Sequence, residues 1–270
     1  MTVGTPKAVP FVARGAQNYD RYMGRWSNRL APLFLDFAGT APGERVAEIG
    51  CGTGNLSFAL AARTNVAAIE AIDYDAQFVE AARARNTDPR IRFQQGDACA
   101  LPYATDQFDR ALSMLVLHFV ADADRALAEM KRVVRPGGAA AATVWDNYGG
   151  MPSQRMFWDS FAAIEPSARP KSVTRPMTQA GELKEAFAKA GFVDVIETML
   201  TIRMDFTSFD DYWHPQISGQ GKTDELLNSL PPETRARVQS AVRASYLDNR
   251  PDGPRSFAST AWAVRGRVPA

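Results

Sequence analysis

The chain has 270 residues, of which 31 are Lys or Arg and 30 are Asp or Glu, so its formal net charge is +1. A hydrophobic fraction of 46% and a charged fraction of 23% are typical of a globular protein and exclude an intrinsically disordered one. The balanced charge argues against a protein built mainly to bind nucleic-acid phosphates, and no run approaches the ~20 apolar residues of a membrane span.

The N-terminal part predicts a loose arm over residues 1–15 without the features of a signal peptide. An amphipathic helix should follow, with Ser27 as its N-cap. Pro32 is awkward inside this helix, because it removes a backbone donor. The apolar residues of the helix recur on one face, and they are Trp26, Leu30, Leu33, Phe34 and Phe37.

Residues 45–145 alternate between strand and helix patterns. The predicted strands are Arg45–Ile49, Val66–Ile72, Ile91–Gln94, Phe108–Met114 and Ala139–Trp145. The predicted helices are Leu56–Arg63, Ala76–Arg85 with Asp75 as its cap, and Ala123–Val134. Strands separated by helices of this length indicate a parallel sheet with helices on both faces.

The remaining chain predicts mainly helices, with two further strands. The strands are Val193–Met204 and Ser259–Val264, and a helix at Glu182–Ala190 precedes the first of them. The segments 151–177 and 206–250 are helical and rich in aromatic residues, which form either their own core or the wall of an apolar pocket. These aromatic residues are Phe157, Trp158, Phe161, Phe206, Phe209, Tyr212 and Trp213.

A glycine-rich turn follows the first predicted strand, with the spacing E-x-G-x-G-x-G from Glu48 to Gly54. Glycines at such a turn let the backbone approach a ligand and point free N–H groups at it. A dinucleotide site requires G-x-G-x-x-G. Its third glycine would be residue 55 or 57, and these are Asn55 and Ser57. A nicotinamide-dependent oxidoreductase is therefore the disfavoured alternative.

Further motifs follow this turn in a fixed order: Asp73 after the second strand, Gly96-Asp97-Ala98 after the third, Met114-Leu115 at the fourth, and Arg135-Pro136-Gly137-Gly138 before the fifth. In this order and spacing the chain resembles the class I S-adenosylmethionine (SAM) methyltransferases, in particular the ubiquinone-biosynthesis-like (methyltransferase type 11) group. The resemblance implies an α/β, Rossmann-like, seven-stranded and mostly parallel sheet with helices on both faces. It also implies that the last strand runs antiparallel beside Val193–Met204, and that the helical inserts form a cap over the site.

The resemblance also implies which residues bind the cofactor SAM. Asp73 would accept hydrogen bonds from the ribose hydroxyls, Asp97 would take the adenine amino group, and Met114 and Leu115 would line the methionine end. The N-terminal run would close over SAM, with an arginine paired to its carboxylate. The full set is Glu48, Gly50, Cys51, Gly52, Thr53, Gly54, Asp73, Tyr74, Asp97, Ala98, Met114, Leu115, Tyr19, Tyr22 and Arg25.

The same reasoning divides the chain into a SAM-binding core and the segments around it. The N-terminal arm and helix take residues 1–43, and the core takes 44–147, 178–205 and 256–270. The inserts take residues 148–177 and 206–255. Cys51 and Cys99 provide neither a disulfide framework nor a zinc quartet, so we expect no metal and a cytoplasmic location.

Two histidines, His118 and His214, are the weak candidates for a general base. The alternative is a structural role, with His118 packed in the core and His214 at the surface. A general base is also unnecessary if the acceptor is a neutral amine or an ionised nucleophile. The predicted reaction is in-line methyl transfer from SAM to a small or medium organic acceptor at the carboxyl ends of the strands. A SAM-binding protein without transferase activity is the main alternative. Nucleic-acid substrates are disfavoured, and monomer and homodimer both stay open.

Overall fold

The computed structural model describes residues 20–166, 175–217 and 222–270. The strands are β1 (Arg45–Ile49), β2 (Ala68–Asp73), β3 (Ile91–Gln95), β4 (Phe108–Met114), β5 (Val134–Trp145), β6 (Val193–Phe206) and β7 (Arg255–Arg267). The α-helices are α1 (Arg25–Ala38), α2 (Asn55–Arg63), α3 (Ala76–Arg85), α4 (Ala123–Val133), α5 (Pro152–Ile164), α6 (Glu182–Lys189), α7 (Phe209–Trp213), α8 (Lys222–Ser229) and α9 (Pro232–Leu247).

The seven strands form one sheet in the order β3-β2-β1-β4-β5-β7-β6. Strands β1 to β5 pair in parallel, whereas β7 lies antiparallel between β5 and β6. The predicted fold class and the predicted position of the last strand are both confirmed. The strand order reverses at β1, between β2 and β4, which is the point where open α/β sheets bind ligands beyond the carboxyl ends of their strands.

Each face of the sheet buries its own hydrophobic core. On one face, Leu30 and Phe34 of α1 and Leu60 of α2 pack with the aromatic residues of the inserts. On the other face, Met130 of α4 and Phe187 of α6 are completely buried. Helices on both faces explain why the central strands are buried almost throughout their length.

The insert aromatics are core residues, which decides between the two predictions made for them. Phe157, Phe161 and Phe209 are 0–2% exposed, and the ring of Phe209 stacks on that of Trp213 with centroids 5.7 Å apart. The Tyr212 hydroxyl, also buried, donates to the Ser153 carbonyl at 2.8 Å. These rings pack against one another between α5, α7 and α9 as part of the hydrophobic core.

Two local predictions are wrong, and one awkward residue, Pro32, is tolerated where it was expected. Helix α1 begins at Arg25 after Gly24, so Ser27 is not its N-cap; the Ser27 hydroxyl instead donates to the Met23 carbonyl at 3.3 Å. Pro32 lies inside α1 without ending it, because the buried stripe on the other side of the helix outweighs one lost hydrogen bond. The turn residues 135–138 belong to β5, whose register with β4 shifts between Phe108 and Arg110.

The predicted N-terminal arm, residues 1–15, lies outside the described residues. Within the three described ranges, no helix is both long and apolar enough to cross a membrane.

Candidate cofactor site

The glycine-rich turn leaves β1 at Ile49 and leads into α2. Gly50, Gly52 and Gly54 have φ angles of 77°, 52° and 89°, which side chains rarely tolerate. Gly50 has a second constraint, since a Cβ there would lie 2.3 Å from Cγ2 of Val116. The backbone of this turn is therefore held against the end of β4, in a conformation that requires glycine.

Asp73 ends β2 beside this turn. Its carboxylate accepts hydrogen bonds from the backbone N–H groups of Gly52, at 2.8 Å, and Asp75, at 2.9 Å. Burial raises the pKa of Asp73, and the two backbone donors offset part of that rise. The carboxylate is thus fixed in orientation by main-chain groups, while no cationic side chain contributes to its pKa.

A cavity of about 770 Å³ lies above the carboxyl ends of β1, β2 and β4, and we call it the cofactor cavity. A volume of this order is typical of small-molecule sites. Eleven of the fifteen predicted cofactor residues line it, namely Glu48, Gly50, Cys51, Gly52, Thr53, Asp73, Tyr74, Asp97, Ala98, Met114 and Leu115. Gly54 is outside its walls and serves as the N-cap of α2, with Phe58 and Phe93 against it.

The cofactor cavity has further walls beyond the fifteen predicted residues. They are Met23, Ser27, Asn55, Leu56, Ile72, Asp75, Ala76, Phe78, Gly96, Cys99, Val116, Phe119, Val120, Ala121, Asp122 and Trp145. Trp145 could have been found from its position, because it is the last residue of a predicted parallel strand. Met23 and Ser27 belong to the N-terminal run predicted to close over SAM, and they line the cavity from the end of the segment 20–24 and the first turn of α1.

The charged side chains that line the cofactor cavity are all acidic: Glu48, Asp73, Asp75, Asp97 and Asp122. Among the described residues, no Lys, Arg or His lines it. Carboxylates without counter-ions make the potential inside a cavity negative. The cavity therefore favours neutral and cationic ligands over anionic ones.

Glu48 is the most enclosed of these acids, with 2% of its surface exposed. Its carboxyl group accepts a hydrogen bond from the Ser57 hydroxyl. Burial raises its pKa to about 8, because desolvation outweighs the hydrogen bond from Ser57, and the negative charge of Asp73 adds to the rise.

The structure places Tyr22 and Arg25 outside the walls of the cofactor cavity, and Tyr19 lies outside the described residues. The Arg25 guanidinium pairs with the carboxylate of Asp211 at 2.7 Å and lies 4.2 Å from the centre of the Trp26 ring. Arg25 therefore ties α1 to α7. Burial raises the pKa of Tyr22 to about 12, so this phenol stays protonated.

Tyr22 and Arg25 line a second cavity, of about 20 Å³. Its other walls come from α5, β6 and the segment after α7, and Met23 lines both cavities. Its volume holds about one water molecule.

The two histidines do not line the cofactor cavity. His118 is buried, with 2% exposure, and its ring lies 4.0 Å from that of Phe119. Burial, together with the positive charge of Arg175, lowers the pKa of His118 to about 3. His214 is exposed and follows α7. Neither side chain is therefore placed to take a proton from a ligand in this cavity.

The comparisons with known proteins agree with this arrangement. Residues 47–142 match a family described as a methyltransferase domain. An uncharacterised protein of Mycobacterium tuberculosis is 28% identical over 82% of this chain and 77% of its own length. The demethylmenaquinone methyltransferase of Renibacterium salmoninarum is 30% identical over 56% of this chain and 62% of its own length.

A solved structure shows the same fold at low identity. Phosphoethanolamine N-methyltransferase 2 of Haemonchus contortus, in complex with phosphomonomethylethanolamine and S-adenosylhomocysteine, has a TM-score of 0.59 and 15% identity. The match covers 94% of this chain and 57% of that one. The chain therefore contains a methyltransferase domain at residues 47–142, and its fold is that of the SAM-dependent methyltransferases.

Proposed function

We propose that the chain transfers a methyl group from SAM to a small or medium organic acceptor, and that both molecules occupy the cofactor cavity. The observation that carries this proposal is the cavity itself: about 770 Å³ at the strand ends, lined by the glycine-rich turn and by Asp73. SAM, when bound, supplies an electrophilic methyl group on a sulfonium centre.

The residues of the cavity fit this cofactor. The backbone of the turn lines the cavity at Gly50 and Gly52, where glycines let a ligand approach the main chain closely. Asp73 presents a carboxylate with a fixed orientation, suited to accept from two hydroxyls. The acidic walls suit a ligand that carries a sulfonium. Asp73 would hold the ribose, Asp97 and Ala98 the adenine, and Met114 and Leu115 the methionine end.

We propose that the acceptor shares this cavity, because the second cavity is far too small for it and the insert aromatics lie in the core. The second cavity has room for about one water molecule, and the insert aromatics are packed as core. The side of the cofactor cavity at the ends of β4 and β5 is apolar, with Val116, Phe119, Val120 and Trp145. We place the acceptor there, where apolar walls exclude water from the reacting atoms.

The contribution of the chain is then to position the reactants and to keep water out. The described histidines lie outside the cavity, so the acceptor would react as a neutral amine or as an already ionised group. We keep the division of the chain predicted from the sequence, in which residues 44–147, 178–205 and 256–270 form the SAM-binding core. Residues 1–43 close over the cofactor, and residues 148–177 and 206–255 form the cap.

The experiment is a methyl-donor assay over phenols, quinols, amines and small acids, with release of S-adenosylhomocysteine as the readout. Turnover with at least one amine or ionised acceptor is expected, and Asp73→Ala should need roughly tenfold to a hundredfold more SAM for the same rate. SAM binding without turnover on any acceptor would support the alternative of a SAM-binding protein without transferase activity. Binding of NAD(P) in place of SAM would support an oxidoreductase.

A further inference from the structure

Glu48 occupies an unusual place for an acidic residue. It lies on β1, the strand between β2 and β4 in the middle of the sheet, paired with Ala71 and Leu112. Its side chain is 2% exposed and lines the cofactor cavity. A carboxylate in such a place is costly unless it is paired or protonated.

The groups around Glu48 do not provide a counter-charge. From α2, the Ser57 hydroxyl donates to one carboxyl oxygen. From β2, Asp73 contributes a second negative charge, and from the turn, the thiol of Cys51 is kept neutral because burial raises its pKa. The residues that line the cavity from the segment before α1 and from α1 itself, Met23 and Ser27, are uncharged.

No described cation offsets the negative charge of an ionised Glu48 inside the cavity. Among the described residues no cation lines the cavity, and none contributes to the pKa of Glu48, which burial raises to about 8. A carboxyl group with this pKa is about 90% protonated at pH 7. A cation inside the cavity would reverse that preference, because an opposite charge nearby favours the ionised form.

We infer that Glu48 is protonated in the empty cavity and releases its proton when cationic SAM binds, so that it acts as a charge-matching residue for the cofactor. The inference rests on the proposed function only in taking SAM as the ligand. SAM carries a positive sulfonium and an α-ammonium group, and positive charge inside the cavity favours the ionised form of Glu48 over the protonated form. The residue thereby selects a cationic cofactor over neutral or anionic nucleotides of similar shape.

The test is a calorimetric titration of the whole chain with SAM at pH 7, in phosphate and in Tris, whose different ionisation enthalpies reveal the number of protons released. The wild-type chain should release roughly 0.9 proton more per SAM than Glu48→Gln. Asp122→Asn is the matched control, since Asp122 lines the same cavity but is exposed. It should release as many protons as the wild type.

The pH dependence of affinity gives a second readout. The affinity of the wild type for SAM, divided by that of Glu48→Gln, should fall by up to about tenfold per pH unit below pH 8. The ratio is used because the SAM amino group titrates equally with both proteins. Infrared spectroscopy of the wild type checks the result without any variant. The carboxylic-acid C=O band of the empty protein should decrease on addition of SAM.

Equal proton release by the wild type and Glu48→Gln, or an unchanged carboxylic-acid band, would overturn the inference while leaving SAM binding intact. An absence of any binding heat with SAM is a different result, because it would contradict the proposed function itself.

Discussion

The hydroxyl of Thr53 donates to the carboxylate of Asp20 at 2.6 Å. This bond joins the glycine-rich turn to the short π-helix Asp20–Gly24 that precedes α1. Arg85 of α3 donates to the other carboxylate oxygen of Asp20 at 3.2 Å. Because Met23 and Ser27 follow directly and line the cofactor cavity, the bond holds this wall of the cavity against the cofactor turn.

Asp20→Asn should therefore weaken SAM binding by a few-fold to about tenfold, the range expected for one charge-assisted hydrogen bond that is partly exposed. The global unfolding temperature should change little, since Asp20 lies outside both cores. Calorimetric titration gives the affinity. Arg85→Ala is the comparison: it removes the exposed ion pair with Asp20 and a hydrogen bond to the Thr53 carbonyl at 3.3 Å but leaves the bond from the Thr53 hydroxyl in place, so it should have a smaller effect. An equal loss in the two variants would contradict the role given to Thr53.

Gly50→Ala should destabilise the chain and abolish SAM binding. The alanine would have to adopt a φ of 77°, and its Cβ would lie 2.3 Å from the Val116 side chain. The turn and the end of β4 would therefore have to move apart. Gly43→Ala is a matched control, with a φ of 81° and no atom within 4 Å of its Cβ. It should cost only about 1 kcal/mol in the free energy of unfolding and should bind SAM normally. Urea denaturation measures the free energy of unfolding of each variant, and calorimetric titration measures its affinity for SAM.

Glu48→Gln should make the SAM-free protein more stable at alkaline pH. The folded-state pKa of Glu48 is about 8, against an ordinary value of 4.5, so between these pH values the unfolded state is ionised and the folded state is protonated. The stability that this group contributes is complete below pH 4.5 and is lost as the pH rises to about 8, at no more than about 1.4 kcal/mol per pH unit. The melting temperature of the variant should exceed that of the wild type at pH 8, and the difference should shrink towards pH 5. A constant difference would contradict this account.

His118 should affect stability rather than chemistry. Its folded-state pKa of about 3 lies below the ordinary 6.5. The neutral ring therefore contributes stability above pH 6.5, which is lost as the pH falls towards 3. His118→Gln should reduce the acid sensitivity of the melting temperature, while the pH profile of turnover stays that of the wild type. Loss of a titration near neutral pH from that profile would instead make His118 a base. His214→Gln, at the exposed histidine, is the control. It should change neither the acid sensitivity of the melting temperature nor the pH profile of turnover.

The sequence was sufficient for the fold and for most of the cofactor cavity because both depend on local signals. Strand ends, glycines and acidic residues such as Asp73 sit at fixed distances along the chain, and a parallel sheet brings its strand ends together. Arg25 shows where this reasoning stops. Its partner, Asp211, is 186 residues away, and nothing near Arg25 in sequence distinguishes an ion pair with an insert from a contact with SAM.

The most direct measurement of the central claim is a calorimetric titration of the chain with SAM, beside Asp73→Ala. Binding in the micromolar range is expected, as is usual for enzyme substrates, and Asp73→Ala should weaken it by roughly tenfold to a hundredfold, since hydrogen bonds to a charged acceptor are lost. Asp36→Ala, which removes an exposed carboxylate of α1, should bind as the wild type does. If the wild-type chain gives no binding heat with SAM, or if Asp73→Ala binds SAM unchanged, the account of this cavity is wrong.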